Sequence, residues 1–145
     1  MYNWFLNLFG WNQWFMTVSD EMRPMAIIFQ KTFNTVGQST ALVTLLGVSL
    51  LVCLFYYFVW NNIPGYKFRI MHWMAFLGLN AVLVGLLTFI IVRIVILDNP
   101  VFASAPFWPL ALINAIYSLI IFFIFSMMVT KTPLKKRTNA SCTPF

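Results

Sequence analysis

Acid–base or metal chemistry would have to come from one histidine and three acids, since the 145-residue chain holds no others. These are His72, Asp20, Glu21 and Asp98, and they do not cluster. Ligation of a haem by two histidines is excluded within one chain. A zinc site lacks three or four ligands at a usable spacing. No Ser-His-Asp set is discernible, and the scattered glycines form no phosphate-cradling loop. Cys53 lies in an apolar run and Cys142 in the tail, so a disulfide between them is not expected. We therefore expect no enzyme and no cofactor.

A second group of polar residues is more informative because its surroundings are apolar. Asn80, Asn114 and Ser118 interrupt otherwise hydrophobic runs, and Arg93 is a full charge within one. Ionisable residues inside a membrane span are functional candidates by default. Arg93, however, is five residues from Asp98, so its long side chain can snorkel outward or pair there. Asn80, Asn114 and Ser118 fit two roles. They can line a wet path, or they can hydrogen-bond helix to helix, at about 0.6–2 kcal/mol per contact. His72, close to Lys67 and Arg69, reads as an interfacial polar residue.

Small residues form a third set: Thr44 and Gly47, then Gly78, Ala81 and Gly85, then Ala111 and Ala115. Where lipid replaces water there is no hydrophobic drive between helices, and small side chains let backbones approach. One such face per apolar run predicts a compact three-helix bundle.

These residues are positioned by three nearly uncharged apolar runs, Ser39–Trp60, Ile70–Leu97 and Phe107–Val129. A hydrocarbon core about 30 Å thick needs roughly 20 apolar residues at 1.5 Å each. The whole chain is 61% hydrophobic and 8% charged, with a mean hydropathy of +0.85. Ordinary soluble domains carry about 25% charged residues. The fold expected is an all-α integral membrane protein: three transmembrane helices (about 39–60, 70–97 and 107–129, within 37–130) preceded by one or two amphipathic interfacial helices (1–36) and followed by a basic, disordered cytoplasmic tail (131–145).

In residues 1–18, Trp4, Phe5, Leu8, Phe9, Trp11, Phe15 and Met16 share one half of a helical wheel, opposite Asn3, Asn7, Gln13 and Thr17. This predicts a helix lying in the interface, with a fourth, short span as the alternative. No basic n-region of a cleavable signal is visible. Ser19, Asp20, Glu21 and Pro24 mark a new helix start. Residues 25–36 repeat the amphipathic pattern, with Met25, Ile28, Phe29, Phe33 and Val36 on one face. Gly37 is expected to turn the chain into the membrane, and Asn61–Gly65 is a turn between spans.

The net charge of +6 is polarised. Lys67, Arg69, Lys131, Lys135, Lys136 and Arg137 flank one side of the spans, against Arg23, Lys31 and Arg93 with all three acids on the other. By the positive-inside rule the C-terminus is cytoplasmic and the N-terminus outside, in the cell (inner) membrane. Lys131, Lys135, Lys136 and Arg137 are candidate lipid-headgroup contacts. Nucleic-acid binding is not expected, and the Asn139-Ala140-Ser141 glycosylation pattern falls on the cytoplasmic side.

Composition and layout resemble those of small subunits of large membrane assemblies. We expect a non-enzymatic integral membrane subunit that scaffolds or anchors a larger assembly. Its partners would be the bilayer and other membrane subunits, in a homo- or hetero-oligomer, with no small-molecule substrate. The alternative is an oligomeric pore or a membrane-perturbing effector.

Overall fold

Proline position sets where the first helix begins. Pro24 occupies the first helical turn, where its missing N–H costs nothing. Ahead of it, Asp20–Met22 form a 3₁₀ turn carrying Asp20 and Glu21, acids that complement a helix N-terminus. Arg23 pairs with Asp20 at 3.1 Å on the surface. The next proline is Pro64, and helix α1 runs without interruption from Asp20 to Val59. The computed structural model describes Leu8, Gln13 and residues 16–60, 70–96 and 107–131.

Helix α1 corrects the expected turn at Gly37. Residues Phe33–Gly37 form a π-turn, and the α-helix resumes at Gln38. Gly37 has an ordinary helical φ of −63°. Packing there is close instead: a Cβ would displace Ile96 Cδ1, the far end of that side chain, and lie 3.6 Å from Val92 Cγ1. The interfacial helix expected over 25–36 is thus continuous with the rest of α1, within its first half. Within the bundle the expected apolar face divides. Ala26, Phe29 and Phe33 are buried, whereas Met25, Ile28 and Val36 are exposed. Phe29 and Phe33 set that line by packing on Phe107, with ring centroids 6.2 and 6.0 Å away. Of the helix expected over 1–18, Leu8, Gln13 and Met16 are helical and exposed; the remainder of 1–15 lies outside the described residues.

Helix α2 spans Ile70–Ile96 and α3 spans Trp108–Lys131, each within two residues of the expected bounds. Both run as unbroken α-helices because Leu, Ile, Ala and Phe fill them and proline is confined to the first turn of α3, at Pro109. All three helices are long and apolar enough to cross a membrane, with mean hydropathies of 2.4, 2.5 and 2.3 over their most apolar windows. Among the described residues there is no strand.

The helices alternate in direction and each packs on the other two. One apolar cluster joins the Ala26–Ala41 part of α1 to Val92 and Ile96 of α2 and to Phe107, Leu110 and Ile113 at the start of α3. A second, at the opposite end, joins Cys53, Tyr56 and Tyr57 to Trp73 and to Phe122 and Val129. A second π-turn, Phe55–Val59, widens α1 there, and two consecutive tyrosines, Tyr56 and Tyr57, are both buried. The outward faces are apolar. Val82, Leu86, Ile90 and Ile94 follow one another up α2 at four-residue spacing, as do Ile116, Ile120, Ile124 and Met128 on α3, all exposed.

Candidate functional site

Apart from Thr44, the buried polar residues gather into three layers, and each layer takes one group from each helix. In the first, the Asn114 amide donates to the Ala41 carbonyl of α1 at 2.7 Å and to Thr88 Oγ1 of α2 at 2.9 Å. In the middle layer, the Asn80 amide donates to Ser49 Oγ of α1 at 3.2 Å and to the Ser118 carbonyl of α3 at 3.1 Å. Ser118 turns its own hydroxyl onto the Ala115 carbonyl at 2.7 Å. In the third, Ser126 Oγ of α3 accepts from Trp73 Nε1 of α2 at 2.9 Å and is hydrogen-bonded to the Tyr57 hydroxyl of α1. Thr130 caps this layer by donating to the Ser126 carbonyl at 3.0 Å.

Polar groups buried in a low-dielectric core are costly unless paired. Pairing explains how Asn80, Thr88, Asn114, Ser118 and Ser126 are tolerated at 0% exposure. One atom departs from the pattern. Asn80 Oδ1 is buried with no hydrogen-bond partner among the described residues.

The layers divide the expected polar set. Asn80 meets Ser118, while Asn114 sits in a separate layer with Thr88. At about 100° per residue Asn80 and Thr88 fall about 80° apart, which predicts two different faces. Both are nonetheless buried, because the contact follows the inclined ridge of residues four apart: Asn80, Val84, Thr88, Val92 and Ile96. Ser49, Tyr57 and Trp73 are layer members that sequence reasoning leaves out. Ser126, a lone hydroxyl among phenylalanines, is the sequence signal that could have found Tyr57 and Trp73, because it needs hydrogen-bond partners.

Of the small residues, Gly85, Ala111 and Ala115 come together. A Cβ on Gly85 would stand 3.2 Å from Ala115 Cβ and 3.5 Å from the Ala111 carbonyl oxygen. Thr44 is buried and returns its hydroxyl to the Thr40 carbonyl at 2.9 Å; Ala81 is half-buried. Gly47 and Gly78 correct the expected packing faces. Both are exposed, with nothing within 4 Å of where a Cβ would stand.

Arg93 is half-buried, with its guanidinium 5.9 Å from the Phe89 ring centroid. Asp98, its expected partner, lies outside the described residues, as do Lys67, Arg69, Lys135, Lys136 and Arg137. Lys131 is the last residue of α3. His72 is half-buried in the first turn of α2. No three His, Cys, Asp or Glu side chains approach one another closely enough to hold a metal among the described residues.

Outside the core, a groove of about 600 Å³ runs between α1 and α2. Leu51, Val52 and Phe55 form one wall, Phe76, Leu79 and Leu83 the other, with Trp60 also lining it. The Trp60 and Phe76 rings lie 5.4 Å apart. Trp60 Nε1 is buried and has no acceptor among the described residues.

No protein-family model, curated protein or solved structure matches the chain.

Proposed function

We propose that this chain is a non-enzymatic, multi-pass subunit of the cell (inner) membrane, with its C-terminus cytoplasmic, that scaffolds a larger membrane-embedded assembly. The observation that carries this reading is an inside-out distribution of polarity. The polar side chains of the three layers turn inward and bind one another across helices, while the outward faces of α2 and α3 are rows of Leu, Ile, Val and Met. Such surfaces suit lipid or other helices. Exposed Gly47 and Gly78 add two shallow places where a partner backbone can approach. The six-to-three basic bias supports the orientation.

Photo-cross-linking in cells tests the scaffold role. A photoreactive side chain at Leu86, which is 57% exposed, should capture a discrete membrane protein. The same group at Val84, fully buried, should capture none. A chain that yields no such adduct and passes ions through reconstituted bilayers would instead be an oligomeric pore.

A further inference from the structure

The π-turn at Phe33–Gly37 divides α1 into two α-helical stretches, Arg23–Thr32 and Gln38–Leu54. An α-helix advances about 100° per residue. A π-turn closes its hydrogen bond on the fifth residue back instead of the fourth, as the Gln38 N–H does on the Phe33 carbonyl. It therefore stores one residue more. Everything before it is turned by about 100° relative to an uninterrupted α-helix. Phe33 takes the place Asn34 would have in such a helix, Phe29 that of Gln30, and Ala26 that of Ile27.

That offset decides what meets α3. Phe29 and Phe33 are buried against Phe107, and Ala26 belongs to the same cluster. Asn34 is exposed and Gln30 half-buried. Beyond the turn, Gly37 packs on Ile96 and Val92, and the Ala41 carbonyl accepts from Asn114. A regular α-helix that kept Gly37 and Ala41 in place would bring the amides of Gln30 and Asn34 to Phe107. Polar groups without partners are costly in an apolar cluster. Side chains around the turn brace it. The Thr35 hydroxyl donates to the Lys31 carbonyl at 2.9 Å, and the Ser39 hydroxyl to the Thr35 carbonyl at 2.6 Å. The Gln38 amide donates to Asn34 Oδ1 at 3.1 Å, which ties the two sides of the turn together.

We propose that this π-turn is a register joint: its one surplus residue sets the angle at which the Asp20–Thr32 stretch meets α3, and so selects Phe29 and Phe33 in place of Gln30 and Asn34 for the contact with Phe107. The joint belongs to the chain alone and does not rest on the scaffold role.

Removing one residue from the turn should then straighten α1 and leave the contacts on both sides in place. Val36, 44% exposed, is the residue to delete. The full chain without Val36, purified in mild detergent, should melt within about 2 °C of the wild type. Val43 is more exposed, at 71%, but lies in regular α-helix, which holds no surplus residue. Its deletion turns Gly37 and Ala41 by about 100° away from Ile96 and Asn114 and should lower the midpoint by about 5 °C or more. An alanine inserted after Val36 adds a second surplus residue and should also lower it. A further measurement separates a kept contact from an idle one: Phe33→Ala should lower the midpoint equally in the wild-type and Val36-deleted chains. The joint is overturned if deleting Val36 destabilises or unfolds the chain as much as deleting Val43 does. It is equally overturned if Phe33→Ala loses its effect once Val36 is gone.

Discussion

The side-chain amide of Asn80 donates to the backbone carbonyl of Ser118 at 3.1 Å, so the middle of α2 is tied to the main chain of α3. No substitution at Ser118 deletes that acceptor. The contact can be removed only from the Asn80 side, and Asn80 also leaves Oδ1 buried without a partner.

Asn80 and Asn114 should therefore respond differently to leucine. Asn114→Leu forfeits two short bonds, to Ala41 and Thr88, and strands the Thr88 hydroxyl; we expect a loss of about 1–2 kcal/mol. Asn80→Leu also forfeits two bonds, but it relieves an unsatisfied oxygen, so its cost should be smaller. Unfolding of the two variants in mixed micelles measures the difference. Equal losses would mean that the orphaned oxygen carries no penalty.

Glycines on the same bundle should split into two classes. Gly85→Leu drives a side chain into Ala115 and the Ala111 carbonyl and should cost about 1–3 kcal/mol, the range for overpacking. Gly47→Leu and Gly78→Leu enter open space and should change the thermal midpoint of the isolated chain little. A loss at Gly78 as large as that at Gly85 would place Gly78 in a helix contact.

Gly37 and Ile96 should be energetically coupled. Gly37→Ala puts a methyl against Ile96 Cδ1, and Ile96→Val deletes that atom. The double variant should be more stable than the sum of the single losses predicts, by about 0.5 kcal/mol or more. Additive losses would show that Ile96 simply swings aside.

Orientation can be read with the native cysteines. Cys53 is buried in the second apolar cluster, so a membrane-impermeant thiol reagent reports on Cys142. Intact cells should leave the chain unlabelled, and permeabilised cells should label it. Labelling of intact cells would reverse the predicted topology.

The extents of α2 and α3 are legible in sequence because an apolar run of membrane-spanning length has few alternatives to a helix. The start of α1 is less so. Gly37 reads as a breaker when only its local neighbours are considered, and what it packs against is Ile96, 59 positions away. The polar layers are half legible for a similar reason. Asn80, Asn114 and Ser118 stand out against Leu and Ile, and their need for partners is plain. Which partner each finds depends on how the helices cross, a property that a wheel drawn about one straight axis does not contain. Ser49 and Trp73 are unremarkable in their own segments and become layer members only when α2 and α3 supply Asn80 and Ser126.

The spacing of the three layers has a further consequence. Along α1 their members fall at 41, 49 and 57, along α2 at 88, 80 and 73, and along α3 at 114, 118 and 126. The intervals are eight and eight, eight and seven, four and eight. Apolar surfaces alone would let one helix slide past another by a turn at little cost, since one leucine replaces another. Here the notches are unevenly cut. A slip of one turn leaves all three layers mismatched, and no other setting aligns them together. The bundle behaves as a combination lock with a single open position, and helices inserted separately into lipid have one arrangement on which to close.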